Sequence, residues 1–307
     1  MTESRPVLVI WNANAGQKVP GATGSPDEQA VREVLAAAGV LARVVATESE
    51  EDAKRAVEQA LAAQEPLIVA AGGDGTVGQI GQLLLGTGVA LGVLPLGSVM
   101  NIARMLAVPR DLKEAARVLA ARRVATIDVG VANGRIFFET ASVGMNAAMF
   151  GAAQHFEDGD WGSPLKVLAV AFRYRPARME IELDHEQIVH TRGLMTTVSN
   201  GAYTGVGMTV APDARLDDGR FDVRVFRHFS KLELLRHLAS IMFGRRGYSP
   251  HVSTYRSNFV RISARSALPC RADSYDLGET PLECQVKPAS LKVIVGPEYV
   301  DGRAPVD

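Results

Sequence analysis

The chain has 307 residues, 47% apolar and 22% charged, a balance that excludes a disordered chain and allows two domains with a core each. Lys plus Arg total 33 against 34 for Asp plus Glu, a formal net charge of −1, so no global field gathers nucleic acid and an anionic partner must be met by a local patch. The two cysteines, Cys270 and Cys284, lie outside any spaced Cys/His cluster, which argues against a disulfide framework or zinc site and suits a reducing cytosol.

The polar start Met1 to Pro6 runs into Val7-Leu8-Val9-Ile10, too short for a signal-peptide core, so a cytoplasmic protein is expected. Apolar runs such as Val89 to Leu94 are broken by Gly and Pro before bilayer length, and membrane contact is expected to be peripheral. From the start, strand and helix patterns alternate: Val7 to Trp11, Glu28 to Gly39, Ala42 to Thr47, Glu50 to Gln64, Pro66 to Ala71, Thr76 to Gly86, then Ala90 to Leu94. Apolar strands with helical crossovers predict a doubly wound parallel sheet that binds ligands at the carboxyl ends of its strands. Asp111 to Arg122 follows as a helix capped by Asp111, and Ala125 to Val131 as an exit strand. The domain boundary is placed there, giving an α/β domain over 1–130 and a mainly-β sandwich domain over 131–307. The second half reads as strands at Arg135 to Thr140, Met179 to Leu183, Gly193 to Ser199, Phe221 to Phe226, Val252 to Ile262 and Pro281 to Val295. Helical interruptions are expected at Pro164 to Tyr174 and Lys231 to Phe243.

The strand Pro66 to Ala71 ends directly in Gly72-Gly73-Asp74-Gly75-Thr76-Val77, which opens a helix. Glycines let backbone N–H groups approach phosphate oxygens, and the helix N-terminus adds positive potential. Thr76 can cap that helix or bond a phosphate, and Asp74 can hold Mg²⁺ or orient an acceptor hydroxyl. An ordinary strand-to-helix turn capped by Asp74 is the plainer alternative. Two adjacent glycines and a third after the Asp, at the mouth of a parallel sheet, favour phosphate.

This segment resembles the GGDGT signature of diacylglycerol and sphingosine kinases, shared with NAD kinases. Asn12-Ala13-Asn14-Ala15-Gly16 is similar to the lipid kinases' NPxSG loop, with Pro and Ser replaced by Ala, and Thr47 falls where they place a Thr near the nucleotide. Leu94-Pro95-Leu96-Gly97-Ser98-Val99-Met100-Asn101-Ile102-Ala103-Arg104 resembles LPLGTxNDFAR, with Ser98 for Thr, Met100 for Asn and Asn101 for Asp. The missing carboxylate either weakens metal binding or shifts its duty to Asp74 and Asp128. The likeness runs through Ile127-Asp128-Val129-Gly130, Ala141-Ser142-Val143-Gly144, Asn200-Gly201 and Ala211 to Gly219, and covers nearly the whole chain. The last segment is similar to APxAxxDDGxxDV. There the resemblance implies a Mg²⁺ held by the Asp218 carboxylate with the carbonyls of Arg215 and Arg220; on its own, Asp-Asp-Gly reads as a plain turn.

The family's DGE motif is the largest departure. Thr280 to Leu291 resembles TPxxxxVxPxAL, and counting back puts Asp273-Ser274-Tyr275 where the family has Asp-Gly-Glu. The Glu is the expected general base, and neutral Tyr275 is a poor proton acceptor. Asp273, Asp276 and Glu279 are candidate replacements, with Asp273 and Asp74 the leading catalytic pair because phosphoryl transfer rests chiefly on positioning and charge.

The resemblance implies an ATP-dependent lipid kinase of phospholipid metabolism. Its cofactors are ATP and Mg²⁺, and its acceptor is a lipid with a free hydroxyl, diacylglycerol-like or sphingoid. It implies no nucleic acid and leaves a homodimer open. The alternatives are a catalytically impaired nucleotide- or lipid-binding relative, and an NAD kinase, which the Gly97 to Arg104 and Asp217-Asp218-Gly219 segments disfavour. Ser98, Ser142 and Ser199 lack a GxSxG elbow, and His155, His185, His190, His228, His237 and His251 lack metal-ligand spacing. Phe229 to Tyr248 reads as an amphipathic helix, packed on the β domain or, in a sharper reading, facing a lipid headgroup.

Overall fold

The structure is a computed structural model that describes residues 6–13, 27–148, 173–205, 207–227, 233 and 251–306. The chain divides into two units, one of Met1–Asp128 with Pro288–Pro305 and one of Val129–Lys287 with Val306–Asp307. The sequence pattern places a boundary near 130, and nothing in it announces the return of residues 288–305 to the first unit.

In the first unit β1 (Val7–Asn12), α1 (Glu28–Ala37), β2 (Ala42–Thr47), α2 (Glu50–Ala62), β3 (Leu67–Gly72), α3 (Asp74–Leu84) and β4 (Ala90–Pro95) alternate. The parallel order is β2-β1-β3-β4, and residues 292 and 293 of the chain's last strand run parallel to β4. All six residues of β3 and of β4 are buried, the pattern of strands covered on both faces. Helix α4 (Asn101–Met105) and α5 (Leu112–Ala121) follow, α1 packing with α5 and α2 with α3. Asp27 caps α1, a Ser49/Asp52 capping box opens α2, and Asp111 caps α5 as its position suggests. Strand β5 (Val124–Ala132) leads out of this unit.

The second unit is a sandwich of antiparallel strands. Its elements are β6 (Arg135–Phe137), β7 (Thr140–Gly144), β8 (Ala177–Leu183), β9 (Gln187–Gly193), β10 (Met195–Ser199), β11 (Tyr203–Thr204), β12 (Met208–Thr209), β13 (Phe221–Phe226), β14 (Val252–Ser257), β15 (Phe259–Ala264), β16 (Pro269–Ala272), β17 (Tyr275–Glu279) and β18 (Leu282–Ile294). One sheet runs β14-β13-β10-β7-β16-β17; the other has β15 between β18 and β8, with β9 at the edge. Their inward faces meet in a core that includes Phe137, Val143, Ile181, Val198, Phe221, Val260 and Cys284.

Three sequence expectations are corrected. The single strand expected over Val252 to Ile262 is two, because the Asp184 carboxylate accepts the amides of Asn258 and Phe259 at 2.8 and 3.3 Å and turns the chain there. The strand expected over Arg135 to Thr140 stops at Phe137, and Thr140 begins β7. The helix that follows the Gly72 turn starts at Asp74, two residues earlier than expected. The helices expected at Pro164 to Tyr174 and Lys231 to Phe243, and nearly all of Phe229 to Tyr248, lie outside the described residues. Among the described residues no helix is long and apolar enough to cross a membrane.

Candidate active site

The expected nucleotide residues gather at the carboxyl ends of the first unit's strands. Asn12 ends β1, and its amide donates to Thr76 Oγ1 at 2.9 Å, tying β1 to the first turn of α3. Thr47 ends β2, is buried, and donates to the Trp11 carbonyl at 3.3 Å. Gly72 must be glycine for a packing reason: a Cβ there would lie 2.6 Å from Thr76 Cβ and Oγ1. The same holds for Gly97, whose Cβ would lie 2.6 Å from Gly73 Cα. The turns after β3 and β4 therefore touch through backbone. A Cβ on Gly75 meets nothing within 4 Å. Its absence relieves no crowding inside the protein and leaves the first turn of α3 open, as a phosphate group approaching main-chain N–H donors requires.

Asp74 is committed to the neighbouring loop. Its carboxylate accepts the amides of Asn101 at 3.0 Å and Ile102 at 2.9 Å. It thereby caps α4, whose own N-cap residue Met100 offers no side-chain bond. Burial pushes the Asp74 carboxyl above the usual range, against the amides of Ile102, Asn101 and Met100 and the Arg110 charge, which pull it down. Met100 takes φ +60, the left-handed region that suits Asn better than Met. Its sulfur compensates by accepting the Gly97 amide at 3.2 Å. Asn101 contributes a main-chain N–H to Asp74, so the clamp survives the change of side chain at 101. Ser98 is exposed, and Arg110 donates to the carbonyls of Gly97 and Ser98 at 3.2 and 2.7 Å, a partner that no motif marks. Asp128, buried, accepts the Ala289 amide at 2.7 Å, which ties the returning segment to β5. Asn14 to Gly16 lie outside the described residues.

Asp273 and Tyr275 belong to the second unit. Asp273 takes φ +46, and its carboxylate accepts three amides: Phe138 at 2.8, Glu139 at 3.0 and Thr140 at 3.1 Å. It holds the β6–β7 turn, much as Asp74 holds α4. Arg271 donates to the carbonyls of Asp273 and Ser274 at 3.0 and 2.6 Å. The Arg135 guanidinium lies 4.1 Å over the Tyr275 ring, a cation–π contact invisible to sequence reading. Of the other carboxylates considered there, Asp276 is exposed and accepts the Gly278 amide at 2.8 Å, and Glu279 is exposed.

At the residues expected to hold Mg²⁺, the Asp218 carboxylate is already engaged by protein groups. Asp218 accepts the Arg220 amide on Oδ1 at 3.1 Å, and its Oδ2 takes the Arg256 guanidinium, whose Nε also stands 3.9 Å from Asp222. Arg215 pairs with Asp217 at 3.3 Å. Both Asp218 oxygens thus have partners, and the positive charge a cation would supply already comes from Arg256. Among the described residues no group of three His, Cys, Asp or Glu side chains can hold a metal ion. Cys270 and Cys284 are buried thiols; burial pushes Cys270 up to about 12 and Cys284 up as well, which leaves neither a nucleophile.

Residues 6–132 match the diacylglycerol kinase catalytic domain, and residues 139–295 match the YegS C-terminal NAD kinase beta sandwich-like domain. The fold agrees: a diacylglycerol kinase structure from Bacillus anthracis superposes with a TM-score of 0.74 at 22% identity, covering 98% of this chain and 100% of that one. The chain belongs to the diacylglycerol kinase catalytic domain family, in the form that carries the YegS C-terminal domain. A probable YegS-like lipid kinase of Pseudomonas aeruginosa is 27% identical over 297 residues, 95% of each chain. The diacylglycerol kinase of Bacillus subtilis is 28% identical over 239 residues, 76% of this chain and 78% of that protein.

Proposed function

We propose that this protein is an ATP-dependent kinase that transfers the γ-phosphate of ATP to the hydroxyl of a lipid, diacylglycerol-like or sphingoid. The observation that carries the reading is the open first turn of α3 at Gly75, beside the backbone contact of Gly73 and Gly97, in a chain of the diacylglycerol kinase family. Main-chain amides at that turn would bind the phosphates, with Mg²⁺ arriving on the nucleotide as part of the substrate. In the transfer, the lipid oxygen bonds to the γ-phosphorus as the bond to the ADP oxygen breaks, and the hydroxyl proton passes to a base. Asp74 serves by fixing the Gly97 loop. The cytoplasm with peripheral membrane contact is the matching location.

A second reading, a family member that binds nucleotide or lipid with little transfer, draws support from Tyr275, since an aromatic ring under Arg135 stands at the family's Glu position. Labelling lipids with ATP radioactive at the γ-phosphate, using wild type and Tyr275→Glu, separates the two. A kinase labels a lipid as wild type, and the Tyr275→Glu variant labels it faster by tenfold or more, about what a positioned base supplies. Labelling by neither protein, with ATP bound by both, favours the binding protein.

A further inference from the structure

Along β8, Met179, Ile181 and Leu183 enter the core, which turns Arg178, Glu180 and Glu182 to the opposite face. On that face the strand register sets Arg178 directly opposite Arg192 of β9, and Glu180 opposite His190. Toward β15, Ser263 faces Glu180 and Ala264 faces Met179, and Arg265 follows directly after the end of β15. Arg178 and Arg192 are thus cross-strand neighbours on strands about 4.8 Å apart, and Arg265 lines the same cleft from just past the end of β15.

Such a pairing opposes the usual logic of a sheet, where like charges directly opposite destabilise the pair. Two rows away the same sheet alternates charge, with Arg261 opposite both Glu182 and Glu283. Around the three arginines no such neutralisation is found: Glu180 turns to His190 at 3.4 Å, and among the described residues no carboxylate pairs with Arg178, Arg192 or Arg265. The three line one cleft of about 570 Å³ together with Glu180, His190 and Ser263, so the arginines outnumber the one carboxylate there three to one. Arg192 Nε donates to the Pro176 carbonyl at 3.4 Å, which orients its fork.

We infer that this cleft binds a phosphate group. A tetrahedral, multiply charged oxyanion accepts from planar guanidinium forks on several sides, and its charge removes the repulsion between them. The site uses residues of the second unit alone and does not depend on the kinase reading. Its phosphate comes either from an anionic phospholipid headgroup or from a free phosphate compound.

The test uses the full chain as wild type and as Arg178→Gln/Arg192→Gln. Thermal unfolding is followed in inorganic phosphate and in chloride of equal ionic strength. Co-sedimentation is measured with phosphatidylcholine vesicles containing or lacking phosphatidylglycerol. With like charges removed, the variant is at least as stable as wild type in chloride, by up to about 3 °C, so misfolding does not confuse the result. A free-phosphate site raises the wild-type Tm in phosphate and leaves the variant unmoved. A headgroup site leaves phosphate without effect and weakens binding to phosphatidylglycerol vesicles about fivefold per arginine removed. If wild type and variant respond alike in both arms, the inference is overturned.

Discussion

Each unit contains an aspartate that caps the backbone of a segment distant in sequence, and what each clamp secures differs. Asp74 holds the Asn101 and Ile102 amides and brings the Gly97 turn against Gly73, so the surface it builds is backbone. Asp273 holds the Phe138, Glu139 and Thr140 amides and is followed by Ser274 and Tyr275. The contrast explains which departures from the family pattern matter. On the proposed reading, a cradle made of main-chain N–H groups tolerates Ser98 for Thr and Asn101 for Asp, whereas the function of a side-chain base would not survive Tyr275 for Glu unless another group took it over.

The sharpest test of that contrast removes each clamp. Asp273→Ala leaves three amides without their acceptor and is expected to cost about 3 kcal/mol or more, read by urea unfolding. Asp74→Ala leaves two, removes a buried carboxylate that burial already disfavours, and is expected to cost less, about 2 kcal/mol, while lowering ATP affinity at least tenfold. Equal ATP affinity in Asp74→Ala and wild type would break the idea that this residue shapes the nucleotide loop. Smaller in effect, Gly97→Ala forces the two turns apart and is expected to destabilise by about 1–3 kcal/mol through overpacking.

The contact of Arg256 with Asp218 sharpens the same comparison. Without nucleotide, Mg²⁺ is expected to leave the wild-type Tm unchanged. Arg256→Ala, which frees the Asp218 and Asp222 carboxylates, is expected to lower it by about 2–4 °C and make it respond to Mg²⁺. A wild-type Tm that rises in Mg²⁺ and ceases to do so in Asp218→Asn would restore the metal.

The smallest effect is a pH dependence. Burial would raise the Asp184 carboxyl, but the Ser257 hydroxyl and the amides of Asn258 and Phe259 outweigh it and hold the group below 3.8. A depressed carboxylate contributes stability above its unfolded value and loses it as pH falls through the lower folded value. Stability of Asp184→Asn is therefore expected to fall less steeply below pH 3.8 than that of wild type, in a pH series of urea midpoints.

What the sequence disclosed and concealed follows from where the determinants sit. The βα alternation, the Gly72 turn and the Asp111 cap are local and were legible. Helix α4 was not, because its start carries no capping residue of its own: Met100 is left-handed and the cap comes from Asp74. The break at Asn258 was hidden within a strand-like stretch for the same reason, its cause being Asp184 in the turn between β8 and β9. Arg256 on Asp218 and Arg135 on Tyr275 join residues far apart in the sequence, and no spacing rule connects them. Structure was readable where it is made of local turns and caps, and unreadable where distant side chains meet.

The measurement that bears most directly on the central claim is lipid labelling from ATP-Mg²⁺ by wild type and Gly75→Ala. A Cβ at position 75 meets nothing inside the protein, so the variant should keep the wild-type Tm. If the open turn receives the phosphates, wild type labels a lipid and Gly75→Ala labels at least tenfold less, the loss expected when a main-chain donor is obstructed. Equal labelling by the two proteins, or no lipid labelled by wild type, would contradict the account.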